Sequence, residues 1–380
     1  MPVFVPAVLF TTGEMAIFPI LPASAQLFGA DLPMAGFIAG LGLLGQLCFD
    51  IPAAALVKRF GERNSMIGAA LTAALGIVIA AFATSLWILG LGIFIAGAMA
   101  AIFGLARHGY MAETVPLPIR ARSLSMLGGM FRLGAFLGPL LGAAVVATLG
   151  VGATYWMSAA LCLSAALLLL TTRSETMKNT PVSLAGTALA VAKREWRSLA
   201  TLGVGSAILG MLRTTRLIGL PLFGLYLHLH PAEIALYVGL AGGLDFALFY
   251  ISGSVMDKHG RRWAAIPTLV ALFVGQVVLS FAMDSTAFLV AALLLSLANG
   301  FSSGIVMTIG ADMAPAASRS EYLASFRLLV DTGTAVTPPL ISILTIMASL
   351  PAAMVTMGGV SLVGAYLMWK HLPNRPIHRD

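Results

Sequence analysis

The chain has 380 residues, of which 59% are hydrophobic and 10% charged, where a soluble domain carries about 25% charged residues. Such a chain cannot cover its own surface in water, so lipid must solvate much of it. The net charge of +7 raises nucleic acid as a partner, but the basic residues fall in short clusters between apolar runs, and no extended basic face with interleaved aromatics excuses that reading.

A helix needs roughly 20 apolar residues to cross a bilayer core. Twelve such runs are predicted, over 4–28, 33–57, 66–84, 86–111, 123–148, 152–172, 199–227, 232–256, 263–282, 286–308, 321–348 and 351–370. The first starts close to Met1 with no basic leader, and reads as a span that stays in the membrane. Very short turns such as Thr84-Ser85 and Gly150-Val151-Gly152 make neighbouring spans antiparallel. Cys48 and Cys162 each sit inside an apolar run and read as small packing residues.

The connections alternate in charge. The second carries Lys58, Arg59 and Arg63, the fourth Arg120 and Arg122, and the sixth Arg173, Lys178, Lys193, Arg194 and Arg197. The eighth carries Lys258, Arg261 and Arg262, the tenth Arg319, and the tail Lys370, Arg375 and Arg379. The odd-numbered connections carry no Lys or Arg. Positive charge is retained on the cytoplasmic side, so the even connections and both termini are expected there.

A shift of 199 residues superposes the unusual residues of the chain on one another. It brings Gly61 onto Gly260, Arg63 onto Arg262, Pro116 onto Pro315, Arg120 onto Arg319, Gly134 onto Gly333 and Pro139 onto Pro338. The expected fold is therefore an all-α membrane protein with 12 transmembrane helices in two pseudo-symmetric six-helix bundles. The bundles are 1–172 and 199–380, the second including a short tail, joined by a cytoplasmic linker at 173–198 in which Val182 to Trp196 is expected to lie as an amphipathic segment on the membrane surface.

Charges at membrane depth cost about 2.5–3.5 kcal/mol each on insertion scales, so each needs a partner or a purpose. Glu14 falls in span one, Asp50 in span two, Arg107 and His108 in span four, Arg132 in span five, Arg213 and Arg216 one turn apart in span seven, Asp245 in span eight, and Arg327 and Asp331 in span eleven at a spacing that lets them pair. The 199-residue shift sets Glu14 against Arg213. Phe18, Pro19 and Pro22 should bend span one. His228 and His230 read as loop residues at a turn. No Gly-x-x-x-x-Gly-Lys-Ser/Thr phosphate loop, metal-ligand cluster or nucleophile triad is visible. No cofactor or metal and no enzymatic activity are expected.

Three features carry a family resemblance. Between spans eight and nine the chain reads Gly253-Ser-Val-Met-Asp257-Lys258-His259-Gly260-Arg261-Arg262, which resembles the loop signature of the major facilitator superfamily. The first-half copy has Lys58 where that pattern has Asp and Glu62 where it has the first Arg, an exchange that leaves the two able to pair if the segment is helical. Gly134, Gly138, Pro139 and Gly142 in span five resemble the fifth-helix signature of the family's exporters, especially drug antiporters. The Arg that many proton-coupled exporters carry in span four is replaced by Ile93, four residues before Gly97, while Arg107 lies further along the same helix.

The resemblance implies a monomeric transporter of the bacterial inner membrane that moves a small-molecule substrate by alternating access, with protons as coupling ion and efflux as direction. Spans one and seven line the central cavity in the family, which makes Glu14, Arg213 and Arg216 expected substrate or proton residues, and Asp245 of span eight and Arg107 of span four are expected to join them. Span two packs near span eleven and span five near span eight, which implies Asp50 with Arg327 and Arg132 with Asp245 as gating or structural pairs. Lys58, Glu62, Asp257 and Arg261 would act as a latch between helix ends. The deep arginines Arg107, Arg132, Arg213 and Arg216 also suit uptake or exchange of an organic anion, and a non-transporting receptor or a lipid scramblase could use the same fold.

Overall fold

A computed structural model of the chain describes residues 3–171, 185–302, 304–315 and 318–372. Twelve of its helices are long and apolar enough to cross a membrane: Phe4–Gln26, Leu32–Phe60, Glu62–Ala81, Leu86–Met111, Ser123–Leu149, Val151–Leu170, Trp196–Tyr226, Pro231–Phe249, Arg261–Ser280, Ser285–Met313, Glu321–Met347 and Leu350–His371. They are called spans one to twelve below. The protein is an integral membrane protein.

Hairpin turns follow local chemistry. Ser85, Asp284 and Ser349 cap the first turns of spans four, ten and twelve with their side-chain oxygens. Gly61 and Gly260, one repeat apart, have φ values of 80° and 90°. A side chain there would be strained, and each glycine ends one long helix and starts the next. Span three consequently begins at Glu62, four residues earlier than its apolar run suggests.

The residues fall into two compact units. The first comprises Met1–Asn179 and Leu220–Phe246, and the second Thr180–Gly219 and Ala247–Asp380. In the first, span one packs on spans five and six, and span four packs on spans two and three. In the second, span nine packs on spans ten and twelve, and span eleven on span twelve. The repeat persists in which spans meet at the glycines of spans five and eleven. A Cβ added to Gly134 would meet Thr11 of span one, and one added to Gly333 would meet Ala207 of span seven.

The linker helix Ala185–Arg194 is amphipathic, with Lys193 and Arg194 in its last turn. It packs on span eleven, and Arg194 donates to Ser318 Oγ at 2.9 Å. The expected segment on the membrane surface is thus engaged by its own unit; Val182 and its two successors lie outside the described residues.

Candidate functional site

Span one is not a continuous α-helix. It runs from Phe4 to Ile17, tightens into a 3₁₀ turn at Phe18–Ile20, and resumes at Leu21–Gln26. Pro19 and Pro22 lack the N–H groups that an unbroken helix would use, which accounts for the 3₁₀ turn at the place where a bend is expected. Glu14 sits one turn before this 3₁₀ segment. It lines a cavity of about 30 Å³ whose walls include Phe10, Ile17, Gln46, Ile77, Ile93 and Cys162. Glu14 and Gln46 thus bring polar heads into a largely apolar chamber with room for about one water.

Ile93, the position where the exporter pattern would place an arginine, is part of that wall. The cation whose charge acts on Glu14 is Arg107, further along span four. Arg107 is 9% exposed and lies over the Phe131 ring at 5.4 Å. Its Nε is buried with no hydrogen-bond acceptor among the described residues. Such a buried donor is uncommon and asks for an explanation. His108, beside it, is exposed and bonds the Gly104 carbonyl at 2.7 Å.

The glycine stripe of span five holds span one in place. A Cβ at Gly138 would lie 2.7 Å from the Thr12 carbonyl oxygen and 2.8 Å from the Ala16 nitrogen, and one at Gly142 would lie 2.9 Å from the Ala16 carbonyl oxygen. These are backbone atoms, so the helices must part to admit a methyl group. Small residues serve membrane helices in this way. Gly138→Ala is expected to destabilise the protein by about 1–3 kcal/mol, read as a lower unfolding temperature in detergent, with a larger loss for Gly138→Val.

Within the same unit, Arg132 Nη1 of span five donates to Asp245 Oδ1 of span eight at 2.8 Å, with side-chain exposures of 18% and 13%. The helices meet closely there. Gly239, Gly242 and Gly243 of span eight oppose Leu140, Ala135 and Phe136 of span five, and the Phe136 and Phe246 rings stack at 6.4 Å.

In the second unit, Arg213 and Arg216 both reach span ten. Arg213 Nη2 donates to the Ser302 carbonyl oxygen at 2.7 Å and to its Oγ at 2.9 Å, and Arg216 Nη1 donates to Ser296 Oγ at 2.8 Å. Span ten is broken where Arg213 arrives. One helix ends at Phe301, Gly304 adopts φ 77°, and a second runs Ile305–Met313. A break at membrane depth frees backbone carbonyls that need donors; Ser252 Oγ serves the Phe301 carbonyl at 2.8 Å while Arg213 serves Ser302. The continuous apolar run over 286–308 hides this break. The signal available in the sequence was Asn299-Gly300 followed by Ser302-Ser303-Gly304.

The loop charges distribute differently from the expected latch. Gly61 stands between Lys58 and Glu62 with positive φ, so their spacing of four does not place them on one helix. Glu62 instead packs toward Gly109 of span four. Arg261 Nε pairs with Asp312 Oδ2 at 3.1 Å and its Nη1 donates to the Met256 carbonyl at 3.0 Å; the Asp257 side chain lies outside the described set. Arg327 Nε meets Asp331 Oδ2 at 3.3 Å one helical turn on. Asp50 is half-buried in span two.

The family model of the Major Facilitator Superfamily matches residues 3–244 and again 202–380. The tetracycline resistance protein, class H, of Pasteurella multocida is 32% identical over 138 residues, 36% of this chain and 34% of that protein. The inner membrane transport protein YajR of Escherichia coli is 29% identical over 159 residues, 40% of this chain and 34% of that protein. The matched stretch thus spans about a third of these relatives' length. A crystal structure of the peptide transporter POT in complex with sulfate superposes with a TM-score of 0.81 at 13% identity, covering 97% of this chain and 93% of that one, a likeness of fold. Twelve spans, a repeat kept in packing and two family matches that together run from residue 3 to residue 380 place this chain in the Major Facilitator Superfamily.

Proposed function

We propose that this protein is a secondary transporter of a bacterial inner membrane, with both termini in the cytoplasm, that exports a small organic molecule in exchange for protons. The two halves, 1–172 and 199–380, alternate access to a central site by rocking, and the unit of function is the monomer. Glu14 carries the reading. A carboxyl group on a helix interrupted by a 3₁₀ turn, lining a mostly apolar chamber and influenced by one buried guanidinium, is a group able to take up and release a proton as the chamber opens to either side. Arg107 is its electrostatic counterweight, and Arg132 with Asp245 acts as a structural pair that is made in one state. The relative named as a tetracycline resistance protein favours export.

An imposed pH gradient across proteoliposomes should drive accumulation of at least one compound from a panel of cationic, neutral and anionic molecules, and a protonophore should collapse it. Accumulation indifferent to the gradient for every transported compound counts against proton coupling.

A second reading, exchange of an organic anion, draws on Arg213 and Arg216, two guanidinium groups one turn apart that meet the hydroxyls of Ser302 and Ser296. Guanidinium suits carboxylate and phosphate. Arg216→Glu is expected to abolish transport of an anionic substrate and to leave transport of a cationic one within about threefold of wild type, as measured by radiolabel uptake.

A further inference from the structure

Repeat-related arginines are used in opposite ways at the basic end of the two units. Arg63 spends its donors on the end of span six: Nε bonds the Leu169 carbonyl at 3.1 Å and Nη2 the Leu170 carbonyl at 2.8 Å. This is a C-terminal cap by a cation, favourable for both the free carbonyls and the helix dipole. Arg262, its counterpart 199 residues on, does not cap span twelve. Its guanidinium lies over the indole of Trp369 at 5.5 Å, and Trp369 occupies the position that corresponds to Leu170. Among the described residues no hydrogen-bond acceptor meets the Arg262 guanidinium.

Around this arginine lies a groove of about 450 Å³ formed by Arg262, Trp263, Ile266, Pro267 and Trp369 at the ends of spans nine and twelve. Trp263 and Trp369 are 66% and 56% exposed. The first unit has Asn64 and Gly68 where the second has Trp263 and Pro267. Pro267 has no N–H to give the Trp263 carbonyl. The Tyr366 ring adjoins Trp369 at 6.3 Å, and Lys370 Nζ lies over Tyr366 at 5.9 Å.

We propose that this groove binds an anionic phospholipid. Its phosphate is received by the N–H edge of Arg262 with Lys370 as a second cation, and its acyl chains run along Trp263, Ile266 and Trp369. Three observations fit that occupant. Exposed tryptophans at helix ends mark the headgroup level of a bilayer. The Arg262 guanidinium, 5.5 Å from the Trp369 ring centroid and met by no acceptor among the described residues, has N–H donors available for a bidentate contact with phosphate. The groove lies at the end of the molecule that carries the basic connections, where the leaflet is rich in anionic lipid. The proposal rests on that end facing the cytoplasm.

The test is native mass spectrometry of the full chain titrated with phosphatidylglycerol, phosphatidylcholine or inorganic phosphate alone. The expected result is preferential retention of phosphatidylglycerol, weakened about fivefold in Arg262→Gln and also in Trp369→Leu, which keeps an apolar side chain, with Arg197→Gln unchanged. Displacement of the lipid by millimolar inorganic phosphate would make this a soluble-anion site and overturn the proposal. So would equal retention of phosphatidylcholine, or wild-type retention in both groove variants. Transport activity does not enter these readings, so they stand apart from the fate of the transporter assignment.

Discussion

Replacing Arg132 with leucine is expected to lower stability by about 3 kcal/mol, because it leaves the Asp245 carboxylate buried at membrane depth without the guanidinium that now meets it at 2.8 Å. Asp245→Leu should cost a similar amount. The double replacement should recover most of either loss, since a buried ion pair is costly to break from one side and inexpensive to replace whole. A double-mutant cycle read by denaturation in lipid-like micelles measures the coupling directly. Additive losses would show that the two side chains do not depend on each other. The glycines at 239, 242 and 243 sharpen the expectation, for they bring span eight so close to span five that little water can solvate the residue left behind.

The second large effect concerns Glu14. Glu14→Gln keeps the size and hydrogen-bonding shape of the side chain and removes its titration. Gradient-driven accumulation of substrate should fall to the level of empty vesicles, while exchange of substrate down its own gradient should persist. Glu14→Ala should impair both, since it also enlarges the cavity beside Phe10 and Ile17. Arg107→Gln should weaken accumulation less than Glu14→Gln does, because Arg107 reaches the carboxylate through its charge and not through a direct hydrogen bond. Full accumulation in Glu14→Gln would move the coupling to Asp50, Asp245 or Asp331.

The sequence made the fold plain because a membrane-spanning helix needs a long apolar run and its ends need basic residues on one side. Those two requirements are strong and local. The same holds for the 3₁₀ interruption of span one, where Pro19 and Pro22 are visible as letters. Arg132 with Asp245 was reachable by combining the repeat with the family's helix neighbours. Other features depended on geometry that spacing does not carry. Glu62 sits four residues from Lys58, but one glycine with positive φ turns the chain between them. The break in span ten lies in a run whose mean hydropathy stays high, because Ser302 and Gly304 are small and flanked by apolar residues. Arg107 is among the expected substrate or proton residues, but its place over the Phe131 ring is a contact that spacing does not show. The contrast between Arg63 and Arg262 is invisible to alignment of the repeats, which treats them as equivalent; it emerges only when one is seen to cap a helix and the other to lie on a ring.

The most direct measurement is simultaneous recording of substrate and internal pH in vesicles that hold the wild-type protein, with no imposed gradient. Adding substrate outside should start proton movement opposite to the substrate, proportional to the amount transported and stopped by Glu14→Gln. Substrate movement with an unchanged internal pH would contradict proton exchange and turn attention to Arg213 and Arg216 as the heart of an anion carrier.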